Sequence, residues 1–252
     1  LRVPGAWVAA AVFALHPVHV ESVAWISERK NVLSGIFYLG AALTYLHYAP
    51  PKTLGSRHHD RNWLYAASLI LFLCALLSKT VTCSLPAALL LAVWWKNNRL
   101  SWADLRPLMP FFSMGLGLSL VTIWLEKHHV GATGEDWQWS YIERCLIAGR
   151  ALWFYAGKLF WPHALSYIYP RWVIDAAQWW QYLFPIAVLV AVAALWLARH
   201  RLGRGPLAAV LFFAGTLVPA LGFFDIYPMR HFLVADHFQY LASVGMIVLA
   251  VA

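Results

Sequence analysis

Charge is the scarcest commodity in this sequence. Only 12% of its 252 residues are Asp, Glu, Lys or Arg, about half the usual share of a soluble domain. A soluble globule of this length must wet its surface with charge, so that class is excluded. Disorder is excluded as well, because it needs low hydrophobicity and here 62% of residues are hydrophobic. Cysteine is rare. Cys74, Cys83 and Cys145 form no C-x-x-C pair, which removes a disulfide framework and a thiolate metal site. No Gly-rich phosphate loop, low-complexity tract or tetratricopeptide-type period is present, and no signal peptide is readable. The chain opens L-R-V-P-G and closes inside the apolar run G-M-I-V-L-A-V-A. It reads as a piece of a longer polytopic protein.

What is abundant is apolar runs and aromatic rings, with fifteen Trp. The runs predict an all-α polytopic integral membrane domain of eight or nine spans or part-spans, with residues 1–252 as a single unit. The predicted spans lie near 3–15, 31–48, 64–77, 81–95, 108–125, 182–198, 207–224 and 240–252. A span takes about 20 residues, so the shorter runs need flanking rings in the interface. Trp94–Trp95 and Trp179–Trp180 suit that belt. The stretch 141–161 is more polar, with Arg144, Arg150 and Lys158 at roughly helical spacing. It is expected to be an interfacial or re-entrant amphipathic helix. Gly115 and Gly117 form a G-x-G inside a span and are read as a packing feature.

The net charge of +8 is a topology signal, and no nucleic-acid partner is expected. Arg2 and the basic residues of loops 49–63, 96–106 and 199–205 are assigned to the cytoplasm. Those loops carry Lys52, Arg57, Arg61, Lys96, Arg99, Arg106, Arg199, Arg201 and Arg204, offset only by Asp60 and Asp104. The remaining basic and acidic residues cancel on the other face.

Polar residues concentrate in that second set of loops. The densest cluster is H-P-V-H-V-E-S-V-A-W-I-S-E-R-K, holding His16, His19, Glu21, Glu28, Arg29 and Lys30. Ionisable groups at membrane depth cost at least ~2.5–3.5 kcal/mol each and usually face a cavity. A solvated loop would also hold such a cluster, but this segment has no Gly and repeats apolar residues at short intervals. A short helix directing His19 and Glu21 into a cleft is the sharper reading. His16 and His19 have metal-ligand spacing, with Glu21 as a third ligand. Pro17 between them makes zinc the lesser alternative, and no metal ligand is assigned. Lys79, in L-L-S-K-T, is either a snorkelling helix-end cation or a contact for a lipid-linked phosphate. Arg171 ends an aromatic, Pro-containing segment and could grip phosphate through its planar fork. In D-I-Y-P-M-R-H-F-L-V-A-D-H-F-Q-Y, Asp236 and Tyr240 share a helical face, with Arg230, His231 and His237 around them.

Four segments carry a family resemblance: FALHPVHVESVAWISERKNVLSGIFYL, LLSKTVTCSLPAALLLAVWW, GKLFWPHALSYIYPRW and VADHFQYLASVGMI. Together they resemble the membrane domain of bacterial relatives of the transmembrane and tetratricopeptide-repeat O-mannosyltransferases. The resemblance covers most of the chain, and the first segment is its most specific part. It implies a GT-C glycosyltransferase that moves a sugar from a polyprenyl-phosphate donor to a hydroxyl of a protein or glycan, O-mannosylation being the family's chemistry. It implies a bacterial inner membrane, with the site on the periplasmic or external face and the bilayer itself as partner. It places the primary carboxylate base in a first external loop upstream of Leu1, and tetratricopeptide repeats downstream. On that reading Glu21, His19 and Asp236 are the acid–base residues of this piece. His16, Arg29, Lys30, Lys79, Arg171, Arg230 and Tyr240 contact substrate. No cofactor is assigned, and a divalent cation is the one candidate. A transporter or flippase of lipid-linked glycans would spread polar residues through the spans. A non-catalytic anchor for a repeat domain would tolerate loss of the His16–Lys30 cluster.

Overall fold

The computed structural model describes residues 4–49, 62–134 and 137–252. Among them the chain is helical and contains no strand. The helices are α1 (Ala6–Leu15), α2 (Val20–Ala24), α3 (Arg29–Tyr48), α4 (Asn62–Ser78), α5 (Leu85–Asn97), α6 (Trp102–Leu105), α7 (Met109–Leu125), α8 (Tyr141–Phe160), α9 (Leu183–Ala198), α10 (Gly205–Leu217) and α11 (Ser243–Val251), joined by short 3-10 turns. Arg2, Lys52, Arg57, Asp60 and Arg61, used above for sidedness, lie outside the described residues.

The expected span count is corrected. Two helices among the described residues are long and apolar enough to cross a membrane: Trp102–Val130 and Trp179–Ala198. Ala6–Leu15 with Pro17–Ala24 makes a third if counted as one span bent by 55°. Those helices mark an integral membrane protein, with two such spans among the described residues, or three with the bent pair, instead of eight or nine. The reason is length and polarity. Asn62–Ser78 and Gly205–Ala220 are apolar but short, and α3 opens on Arg29, Lys30 and Asn31. The stretch 141–161 is an unbroken 20-residue helix, α8. Ser140 and Glu143 close a capping box at its start, each satisfying backbone groups the first turn leaves open. Its buried face runs through Leu146, Ile147, Ala148, Ala151, Tyr155 and Leu159.

The chain divides into two compact units where composition offered no break. One comprises Leu1–Trp25 and Thr122–Ala252, the other Ile26–Val121. In the second unit α3 and α4 are the main pair. Their contact is close because Gly40 faces Leu71, and the Ser68 hydroxyl donates to the Ala41 carbonyl at 2.7 Å. Phe111 of α7 sets its ring against Tyr45 at 5.6 Å and Phe72 at 5.4 Å, separations typical of favourable aromatic pairs. Gly115 approaches the Cys83 backbone, whereas a side chain at Gly117 would meet nothing within 4 Å.

The first unit is held by α8 against α9 and by α11 against α1 and α10. A methyl group at Gly149 would lie 2.5 Å from the Pro185 nitrogen, so α8 and α9 meet there only because the residue is glycine. Its core gathers Ala148, Ala151, Tyr155, Tyr169, Phe213, Leu217 and Val234. Residues 161–178 and 221–242 fold over this core and carry the polar groups described next.

Candidate functional site

The first unit assembles its polar centre from three distant segments: residues 16–21, 155–169 and 235–243. After α1 the chain breaks at His16–Pro17. A 3-10 turn over Pro17–His19 leads into α2, because Pro17 cannot donate the hydrogen bond that would continue α1. The break aims Glu21 at the 3-10 turn Asp236–Gln239. The two Glu21 oxygens receive two N–H groups of one residue. Oε1 accepts from His237 Nδ1 at 2.8 Å, and Oε2 accepts from the His237 backbone N–H at 3.1 Å. Both side chains are nearly buried, 10% exposed for Glu21 and 7% for His237.

The neighbouring Asp236 is buried and receives the Tyr169 hydroxyl at 3.0 and 3.1 Å. Burial pushes its carboxyl up from 3.8 to about 6, opposed by the Tyr169 hydrogen bond and reinforced by the Glu21 charge. Burial also raises the Tyr169 phenol. Lys158, which lowers the Asp236 value from a distance, donates to the carbonyls of His163 and Ala164 and lies 5.2 Å from the Tyr169 ring centre. The Tyr155 hydroxyl receives the Ala235 N–H at 3.3 Å. Gln239 is fully buried, and neither of its amide atoms has a hydrogen-bond partner among the described residues. Such a group costs about 1–3 kcal/mol in lost hydration. Trp25, 37% exposed, sets its ring 6.3 Å from His237 and 4.4 Å from Tyr167. It is the aromatic edge of the centre.

His19 and His16 lie elsewhere. His19 is buried between Phe13 and Tyr240. Its Nδ1 faces the Phe13 carbonyl at 2.7 Å, so Nδ1 carries the proton, and Nε2 meets the Ser243 hydroxyl at 2.9 Å. Both nitrogens are engaged in tying the end of α1 to α11, a structural use of the ring. His16 Nε2 donates to the Leu159 carbonyl at 2.8 Å, and Nδ1 accepts the Val18 N–H. The two rings are 5.7 Å apart, each turned to its own carbonyl, and do not converge as ligands. Among the described residues no group of three His, Cys, Asp or Glu side chains forms a metal site. Tyr240 packs edge-on to Phe13 at 5.1 Å and to the His19 ring at 5.0 Å. Arg171 is exposed, 5.1 Å from the Trp139 ring centre and 3.5 Å from the Arg230 carbonyl. Arg230 is exposed on its short turn.

Arg29, Lys30 and Lys79 belong to the second unit. There a buried Glu28 collects Lys30 at 3.1 Å, Lys79 at 3.4 Å and the Asn31 amide at 2.8 Å. Lys79 also donates to the Asn31 side-chain amide oxygen Oδ1. Lys79 is therefore ion-paired within the protein, while Arg29 is exposed at the start of α3.

Sequence reasoning named Glu21, Asp236 and His237 without pairing them, and it did not name Tyr169. Tyr169 sat in an aromatic segment whose plain reading is the lipid interface, and His237 was one of two imidazoles in its loop, with His231. Only contacts across more than sixty residues of sequence single them out. No family model, curated protein or solved structure matches the chain.

Proposed function

We propose that this chain is part of a membrane glycosyltransferase of GT-C type, which passes a sugar from a polyprenyl-phosphate donor to a hydroxyl on the non-cytoplasmic face. The observation that carries the reading is the buried cluster of Glu21, His237, Asp236 and Tyr169 in a membrane protein. Transfer of a glycosyl group to a hydroxyl requires proton removal from the acceptor and cations at the departing phosphate. The cluster offers acid–base groups, with Asp236 near 6, where both protonation states are populated close to neutral pH. The exposed Arg171 and Arg230 are the cations of the same unit suited to the phosphate. Trp25 and Tyr167 supply aromatic faces of the kind that stack on sugars. Within the first unit the buried carboxylates Glu21 and Asp236 meet their partners at one centre, which favours an enzyme over a flippase.

The test uses the full-length protein in detergent with a labelled polyprenyl-phosphate sugar and a hydroxyl acceptor. Covalent transfer is expected, and Asp236→Asn should lower it about 100-fold or more while the protein stays folded. Donor that is moved across vesicles but never joined to acceptor would replace this reading with the transporter.

A further inference from the structure

The two arginines of α8 have opposite fates. Arg144 donates to the Asp225 carboxylate at 2.7 Å and to the Gly222 carbonyl at 2.8 Å. Arg150, less than two turns further on, meets rings instead. Its guanidinium carbon lies over the Trp172 ring, 4.4 Å from the ring centre, and 5.8 Å from that of Phe184. It makes no hydrogen bond or ion pair with any described residue. The described carboxylates of this unit are engaged elsewhere. Glu21 holds His237, Asp236 holds Tyr169 and Asp225 holds Arg144. Glu126 accepts the Tyr227 N–H, Glu143 closes the α8 cap and Asp175 closes its own turn. Burial lowers the Arg150 pKa, yet a guanidinium keeps its charge in a protein. None of its nitrogens is buried without a partner. Its N–H groups therefore reach the surface and are open to an acceptor from outside the chain.

The surface around Arg150 belongs to a membrane span. Trp153, one turn along α8 and exposed, donates its indole N–H to the Phe184 carbonyl at 3.1 Å. That bond ties α8 to the beginning of the span Trp179–Ala198. No residue of α9 is buried, and Leu183 and Ile186 are among its exposed side chains. Phe184 is five residues into the span, about 8–10 Å along the axis. The exposed Trp179 and Trp180 at its tip suit the interfacial belt. An arginine at that depth reaches the headgroup layer by extending its stem. Phosphate is the abundant anion of that layer. A guanidinium lying over a ring still offers the edge of its planar fork, which matches two phosphate oxygens.

We propose that Arg150, seated over Trp172, binds the phosphate of an anionic bilayer phospholipid beside the start of α9. The lipid supplies the negative charge that the described chain withholds from this arginine. Trp172 and Phe184 hold the cation in place, and the acyl chains lie along Leu183, Ile186 and the uncovered surface of α9. The proposal does not depend on the transferase reading.

Native mass spectrometry of the full-length protein in detergent tests it, with phosphatidylglycerol titrated against phosphatidylcholine. Wild type should hold phosphatidylglycerol the more tightly, and equal affinity for the two lipids overturns the site. Arg150→Gln removes the charge and keeps much of the stem. It should weaken the tightest phosphatidylglycerol site about 10–100-fold. Arg150→Lys keeps the charge but loses the fork, and should fall between the two. Arg199 stands at the other end of α9, over the Trp196 ring and donating to the Trp196 carbonyl. Arg199→Gln should leave the site within about threefold of wild type. An equal loss in Arg199→Gln means that positive charge in general draws the lipid, and overturns the site. Undiminished phosphatidylglycerol binding in Arg150→Gln overturns it as well and leaves Arg150 a packing residue. Added equimolar polyprenyl monophosphate should leave the phosphatidylglycerol bound; its displacement overturns the assignment to a bilayer lipid and gives the arginine to the lipid-linked donor.

Discussion

Asp236 makes the structure's most quantitative demand. Its carboxyl is raised from 3.8 to about 6, first by burial. A folded-state value above the unfolded one means that folding favours the protonated acid. The stability this contributes is complete below about 3.8 and is lost as pH rises through about 6. The interval, at ~1.36 kcal/mol per pH unit, amounts to about 3 kcal/mol. Asp236→Asn is neutral throughout, and its amide oxygen can still accept the Tyr169 hydroxyl. The difference in unfolding free energy between variant and wild type should therefore climb in favour of the variant from pH 4 to pH 6.5, by up to about 3 kcal/mol, then level off. Reversible unfolding in mixed micelles, followed by the many Trp, measures it directly. Other titrations largely cancel in the difference. Tyr169→Phe supplies the control. Its hydroxyl lowers the Asp236 value, so removing it should move the midpoint of the climb to higher pH. A difference that is flat from pH 4 to 6.5, or that favours wild type as pH rises, would refute the burial argument and the tightness of this cluster.

Three further outcomes follow from the packing and the charges. Glu28→Ala strips Lys79 of its buried carboxylate and should cost about 3–5 kcal/mol, read as a lowered melting temperature; a change below 1 kcal/mol would mean the pair is solvated. Gly149→Ala drives a methyl group into the Pro185 backbone at 2.5 Å and should cost about 1–3 kcal/mol, whereas Gly117→Ala, with nothing within 4 Å, should be close to neutral. If loops 96–106 and 199–205 are cytoplasmic, Cys introduced at Arg99 or Arg201 should escape an impermeant thiol reagent in intact cells, and labelling of either reverses the sidedness.

Composition alone established a membrane-embedded helical chain, because 62% hydrophobic residues cannot be hidden in water by a protein of this size. The apolar runs each hold a helix, although the one within 207–224 ends at Leu217. Reading each run as a span overcounted the spans, since a run of apolar residues does not reveal how early a 3-10 turn will end the helix, as at Val218–Ala220 after α10. The sequence likewise marked Glu21 and Asp236 as costly residues that need partners. It could not name those partners. A carboxylate's partner is chosen by how the chain returns, and Glu21 waits for a residue 216 positions later. The same limit applied to the histidines. His19 and His237 look alike in sequence, but the Phe13 carbonyl and Ser243 occupy both nitrogens of the first, while Glu21 orients the second. Hydrogen-bond direction belongs to three-dimensional geometry, and only the folded chain separates the ring held by a carbonyl and a hydroxyl from the ring held by a carboxylate.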